Sequence, residues 1–192
     1  MDRRSFLGAS LSTLVLGALT PSLLAHAQSP ETERCSVRTE PNIEGPFFRP
    51  NAPLRATLSR GLIISGVVRD TRCRPMRDAV IEVWQANSAG DYDLNGDVFR
   101  GRLRTDAAGA YRIETVTPGR YLNGGVYRPA HIHVKVHADG RPSLTTQLYF
   151  PGDPYAAADP WFRESLLIRY APTGCCSPIP NAPQRASFDF IV

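Results

Sequence analysis

Lysine is almost missing from this 192-residue chain: Lys135 is the only one among 22 basic residues, and the rest are arginine. The net charge of +4 is spread thinly, with no five-residue basic block, so nucleic acid is not an expected partner. No clean apolar run reaches the about 20 residues that a spanning helix needs. The one long apolar stretch, Gly8 to Leu24, is interrupted by Pro21 and by Gly, Ser and Thr, so stable membrane insertion is not expected. Cysteine is sparse, with four residues and no C-x2-C pair, which argues against a thiolate metal site. Long amphipathic helices are excluded by what is plentiful instead, 17 Pro and 15 Gly, a content that suits a turn-rich β protein. Apolar residues at 42% and charged ones at 21% describe a globular domain.

The first residues read as an address. Arg3-Arg4-Ser-Phe-Leu7 precede the small and apolar run, and Ala25-His26-Ala27 precedes Gln28, the three-part layout of a secretory signal. The paired arginines before Ser-Phe-Leu resemble a bacterial twin-arginine signal. That resemblance implies passage of a folded protein through the Tat export machinery and a periplasmic or secreted location. Residues 1–27 are therefore set aside, residues 28–58 read as an extended arm, and residues 59–192 as one β domain. Export favours disulfides. A bridge between adjacent Cys175 and Cys176 requires strained geometry, so each is expected to pair with Cys35 or Cys73, in either order.

From Arg60 onward, short alternating or β-branched runs recur: Leu62–Val68, Ala79–Trp84, Tyr111–Val116, His131–His137, Thr145–Phe150 and Ala186–Val192. Turn signals such as Asn95-Gly96 and Pro118-Gly119 separate them. The pattern predicts an all-β fold, an antiparallel β-sandwich with an N-terminal arm and one short helix from Asp159 to Leu166. Asp159 is its expected N-cap and Pro160 its first residue.

Once residues 1–27 are removed, every histidine lies in one heptapeptide: His131, His133 and His137. On a strand, residues two apart share a face, so His131 and His133 can converge on one ion. Asp or Glu added to two histidines would suit ferrous iron. A cupin-type site would need a second histidine segment, which is missing. Tyrosine is the other donor; a phenol ionises near pH 10 and ligates as phenolate only to a strongly Lewis-acidic ion such as ferric iron. The available tyrosines are Tyr92, Tyr111, Tyr121, Tyr127, Tyr149, Tyr155 and Tyr170, and composition does not choose among them.

Four segments narrow the choice by resemblance. Trp84-Gln-Ala-Asn87 with Gly90-Asp-Tyr92, Thr117-Pro-Gly-Arg-Tyr121, Arg128-Pro-Ala-His-Ile-His133 and Gln147-Leu-Tyr-Phe-Pro-Gly-Asp-Pro154 occur in that order. Together they resemble the intradiol ring-cleavage dioxygenases, the protocatechuate and catechol dioxygenase superfamily, from about Glu44 to Val192. The resemblance implies a sandwich holding non-haem Fe(III) through Tyr92, Tyr121, His131 and His133, with Tyr121 as the ligand that leaves when substrate arrives. It implies O2 and a catechol-type aromatic as substrates, opened to a cis,cis-muconate-type diacid. Arg128 and Gln147 match groups beside the substrate ring, and Arg128 is suited to stabilising negative charge there. Trp84, Gly45, Pro46 and Asn123 match pocket-lining positions, and His137 matches no ligand.

The chain departs from the family at Leu122-Asn123, where a proline is common, and at Tyr127, where protocatechuate enzymes tend to have tryptophan. Both departures leave the substrate open. The family's assemblies do not carry over from this sequence, so an oligomer is possible and unspecified. The runs Ser65-Gly-Val-Val-Arg-Asp and Thr105-Asp-Ala-Ala-Gly-Ala-Tyr-Arg also resemble transthyretin-like and carboxypeptidase-regulatory-like β modules, which implies a non-enzymatic alternative without metal.

Overall fold

The computed structural model describes residues 35–172 and 182–192. Eleven strands follow one another among these residues: β1 Leu62–Arg69, β2 Val80–Trp84, β3 Arg100–Arg104, β4 Ala110–Thr115, β5 Tyr121–Asn123, β6 Val126–Arg128, β7 His131–His137, β8 Leu144–Tyr149, β9 Arg169–Tyr170, β10 Gln184–Ser187 and β11 Phe190–Ile191. Two sheets face one another, one ordered β3-β2-β7-β8 and the other built on β1 with β4, β9, β10 and β11. β5 and β6 form a separate hairpin. The alternation seen in the sequence explains the layers. Ile132, Val134 and Val136 of β7 enter a shared core with Ile81 and Val83 of β2, Leu62 and Ile64 of β1, and Ile113 of β4. Each such side chain contributes about 1.5–3 kcal/mol on burial.

The first sheet is all antiparallel, but β1 pairs in parallel with both β10 and β11. The two short strands take turns along the same edge of β1, with the break at Gly66. A Cβ there would fall 1.7 Å from the Phe188 carbonyl oxygen, so only glycine admits the returning chain. The arm laces both sheets. Thr39 exchanges hydrogen bonds with Ile191, the Asn42 amide donates to Thr145, Leu54 bridges to Arg102, and the Leu58 amide donates to Glu114.

Two expectations are corrected. The bridge that forms is Cys35–Cys73, with Cα atoms 5.3 Å apart, so neither cysteine pairs with Cys175 or Cys176, which lie outside the described residues. The cause is the end of the chain: β11 runs beside the end of β1 and ties Thr39 to itself, which brings the start of the arm to the loop after β1. Nor does a helix span Asp159 to Leu166; two 3₁₀ turns stand at Ala156–Ala158 and Glu164–Leu166. Asp159 and Arg163 have extended backbone, and the Asp159 carboxylate turns one oxygen inward to Arg128 while the other accepts only a long hydrogen bond from the Trp161 amide. Among the described residues no helix is long and apolar enough to cross a membrane.

The loop that carries Cys73 is organised by Asp70, which is fully buried. Its carboxylate accepts hydrogen bonds from the Arg72 and Arg74 amides and pairs with the Arg74 and Arg141 guanidinium groups. Burial alone raises its pKa, but the Arg74 side chain and the two amides outweigh that and hold it at about 2. A depressed carboxylate stabilises the fold above its unfolded pKa, near 3.9, and the contribution is lost as pH falls through the folded value. The stability difference between wild type and Asp70→Asn is therefore expected to hold above pH about 4 and to shrink towards pH about 2, as measured by denaturant unfolding. The disulfide closes a loop with a sequence separation of 38. Chain-entropy arguments give it about 4 kcal/mol, so Cys73→Ser should lower the unfolding free energy by roughly that amount.

Candidate metal centre

The site lies on the outer face of the β3-β2-β7-β8 sheet, beneath the arm. His131 and His133 project from β7 on the side opposite Ile132 and Val134, and both are buried at 2% and 1% exposure. Strand register sets their neighbours. Trp84 of β2 and Gln147 of β8 lie directly opposite His133 on either side, and Tyr149 lies opposite His131. Tyr121 opposes Arg128 across the β5–β6 hairpin. Tyr92 comes from the loop between β2 and β3.

Four rings close on one another. Ring centroids are 4.9 Å apart for His131 and His133, 5.6 Å for Tyr121 and His131, 5.6 Å for Tyr92 and Tyr121, and 6.4 Å for Tyr92 and His133. Of the other tyrosines, Tyr111 donates to the Phe188 carbonyl in the core, and Tyr127 packs on Tyr155. The Tyr149 ring is 6.0 Å from His131, but its single hydroxyl proton is shared between Gln147 Oε1 and the Trp161 carbonyl. Tyr170 is exposed on β9. Tyr92 and Tyr121 are thus the two that join the histidine pair.

The protonation states suit a cation. Burial pushes the His131 imidazolium down to about 3, with the Arg128 charge adding to it. His131 Nδ1 donates to the Pro129 carbonyl at 2.7 Å, which leaves Nε2 with its lone pair. Burial, then the neighbouring His131 and Arg128, hold His133 well below its ordinary value. The Ile43 carbonyl favours its charged form but closes no hydrogen bond, and among the described residues both His133 nitrogens are buried without a partner. The Tyr92 hydroxyl is also buried and, among the described residues, closes no hydrogen bond, although Tyr121 lies close enough to act on it. Burial and the nearby Tyr121 push it far above its ordinary pKa, against the opposing charges of Arg128 and Arg100. Orphaned buried polar atoms are costly. Two neutral imidazoles and two phenols facing one point match the donor set of a strongly Lewis-acidic metal. Among the described residues no group of three or more His, Cys, Asp or Glu could hold a metal ion, so neither a two-histidine carboxylate site nor a cupin-type site is present there.

The remaining expected residues divide. Gln147 anchors the arm by donating to the Ile43 carbonyl at 2.9 Å. Arg128 is buried and ion-paired to Asp159. Trp84 is buried behind His133, stacked on it at 4.9 Å and 6°, so it braces that ring and does not line an open pocket. Gly45 closes over the same ring, while Pro46 and Asn123 are exposed near the rim. Tyr127 shares with Leu122 the hairpin face opposite Tyr121 and Arg128, away from the cluster. His137 pairs with Glu82 and takes no part.

Sequence reasoning missed several supports. Phe47 stacks on Tyr92 at 4.0 Å, and buried Arg100 donates to the carbonyls of Phe47 and Asp93. Asp159, Tyr149 and Trp161 surround Arg128. Only Tyr149 had a legible signal, two residues from Gln147 on the same strand face. A cavity of about 1,140 Å³ lies elsewhere, between the arm and β9–β11, and none of the four donor rings lines it.

Fold and site together define an all-β sandwich with a mixed histidine and tyrosine centre. The comparisons agree with this class. Residues 43–171 match the dioxygenase family model Dioxygenase_C. The chain is 41% identical over 135 residues to the protocatechuate 3,4-dioxygenase beta chain of Burkholderia cepacia, which covers 59% of this chain and 57% of that one. It is 33% identical over 169 residues to the catechol 1,2-dioxygenase of Acinetobacter baylyi, covering 71% and 53%. The matched region thus spans little more than half the length of either relative. Among solved structures, the dioxygenase domain of a dioxygenase and carbohydrate-binding fusion from Streptomyces sp. SirexAA-E superimposes with a TM-score of 0.71 at 38% identity, covering 81% of this chain and 98% of that one. The 3-chlorocatechol 1,2-dioxygenase of Rhodococcus opacus also reaches 0.71, at 28% identity, covering 84% and 76%. The chain belongs to the intradiol dioxygenase family. This sets aside the transthyretin-like alternative.

Gly45 has φ of +70°, and a Cβ there would sit 3.2 Å from His133 Cε1. Gly45→Ala is expected to cost about 1–2 kcal/mol through the left-handed backbone and to displace the His133 ring. Denaturant unfolding and the His133 ring resonances in NMR check this.

Proposed function

We propose that the protein is a non-haem Fe(III) intradiol dioxygenase that opens the ring of a catechol-type aromatic with O2 to a cis,cis-muconate-type diacid. The observation that carries the reading is the closed ring of Tyr92, Tyr121, His131 and His133, with the His133 nitrogens and the Tyr92 hydroxyl buried and closing no hydrogen bond among the described residues. These four residues would hold the iron. Bound ferric iron supplies the Lewis acidity that makes a chelated catecholate open to O2.

The chain's own groups supply the rest. Tyr121 sits on a short, partly exposed strand, so its side chain has room to move and, as a phenolate, would accept a proton from a catechol hydroxyl. Tyr92 is held from both sides, by the Phe47 stack and by Arg100 through the neighbouring backbone, and stays in place. The neutral imidazoles of His131 and His133 would give their lone pairs to the iron and so do not compete for that proton. Arg128, with Nη1 3.4 Å from His131 Nε2, lies where negative charge grows on substrate oxygen, and its fixed positive charge stabilises it. Gln147 holds the arm over the site and so excludes water.

We also propose, from the paired Arg3-Arg4 and the Ala25-His26-Ala27 signal alone, that the protein works outside the cytoplasm. Residues 1–27 would direct a folded, iron-loaded chain through the Tat machinery, with cleavage near Ala27. An N-terminus at Gln28 in exported protein, lost in a Tat-deficient host, is the expected result by mass spectrometry.

Purified protein grown with iron is expected to show a reddish tyrosinate-to-ferric band that shifts on adding catechol. His133→Ala should lose both iron and band. Arg128→Lys should keep them and lower kcat about 10- to 100-fold, the scale of losing one positioned electrostatic donor. Oxygen uptake across catechol, protocatechuate, hydroxyquinol and larger polyphenols identifies the substrate. A colourless protein without iron, or full ring cleavage by the His133 variant, would refute the assignment.

A further inference from the structure

Asp159 to Trp161, expected to start a helix, is wrapped around one guanidinium instead. Arg128 is only 3% exposed, a cation taken out of water. Its Nη2 donates to Asp159 Oδ2 at 2.9 Å, Gln147 Oε1 at 3.0 Å and the Tyr149 hydroxyl at 3.3 Å. Its Cζ lies 4.7 Å from the centre of the Trp161 ring. The Trp161 carbonyl in turn accepts hydrogen bonds from the Tyr149 hydroxyl and from Asn42 of the arm. The three acceptors all gather at Nη2. Nη1 is left beside His131 Nε2 at 3.4 Å, and Nε is buried without a partner.

This asymmetry has a physical consequence. Arginine carries five donors in a rigid planar fork, so fixing one end and one face fixes the direction of the others. A carboxylate at Nη2 and an indole ring against Cζ together restrict how the guanidinium can turn. A donor already oriented before charge develops costs no reorganisation when it does. Gln147, Tyr149 and His131 carry no negative charge, so among the described residues Asp159 is the one group hydrogen-bonded to Arg128 that also balances its charge.

We propose that Asp159, backed by Trp161, is a positioning residue for ring cleavage: it anchors the outer end of Arg128 so that the remaining donors serve the Tyr92–Tyr121–His131–His133 cluster. The claim about turnover rests on the dioxygenase reading above; the anchoring does not. Asp159 touches neither metal nor substrate on this account and acts only through Arg128.

The test compares iron-loaded wild type, Asp159→Asn, Arg128→Lys and the double variant. Asp159→Asn is expected to lower kcat at least about tenfold, with KM within about threefold and iron content and visible band unchanged. Because both changes remove the same oriented donor, the double variant should be no more than about threefold slower than the slower single variant. A kcat within about twofold of wild type in Asp159→Asn, multiplying losses in the double variant, or loss of iron from Asp159→Asn overturns the proposal.

A second measurement needs no variant to fold. In the full wild-type chain prepared without metal, nitrogen-15 NMR of the arginine side chains should resolve two Arg128 Nη signals in slow rotation. One averaged signal overturns the anchoring. Wild type that neither binds iron nor cleaves catechols defeats the dioxygenase reading and the turnover claim with it, and the guanidinium signals then decide the anchoring alone.

Discussion

The pairing of β7 between β2 and β8 is the constraint on which the site depends. One face of β7 packs Ile132, Val134 and Val136 into the core, and that packing sets the register with its neighbours. A slip of one residue would bury the histidine face in the core and expose the isoleucine and valines. With the register held, His133 must stand between Trp84 and Gln147, and His131 beside Tyr149. The same hydrophobic alternation that stabilises the sandwich therefore aims two imidazoles at one point.

Burial of that outer face is the second requirement, and the arm meets it. A sheet face carrying His131, His133 and Gln147 would ordinarily be solvated, with imidazoles free to protonate. Ile43, Gly45, Phe47 and Phe48 cover it, held by Gln147, by Arg100 and by the ion pair of Glu44 with Lys135. Phe48 packs on Trp84, which packs on His133, so the arm reaches the histidine pair through a stack of aromatics. The electrostatic result is that neutral imidazoles at His131 and His133 and a protonated phenol at Tyr92 are favoured.

The alternation of β7 and the ordered motifs made much of this legible. His131 and His133 share a face because strand geometry has a period of two, and the motif order named Tyr92 and Tyr121 by resemblance. β3, with three arginines in Arg100–Arg104, had no apolar pattern to announce it, although Arg100 proves to be buried. The Asp159 segment misled because Asp-Pro before a mixed run is a sound local helix signal. It lost to a long-range partner 31 residues away, since an unpaired buried Arg128 would cost far more than a missing cap gains. The disulfide was misread for a similar reason. Which cysteines meet depends on where β11 returns along β1, and no spacing rule carries that information.

By itself, the sequence determined an all-β architecture, the face that carries the histidines and the kind of donor that could join them. Those properties follow from local period, turn chemistry and residue type. Only the tertiary structure decided that Trp84 braces a histidine, that Cys35 pairs with Cys73 and that Asp159 holds Arg128. Those outcomes depend on contacts between residues far apart in the chain, where burial and charge balance outweigh local preference.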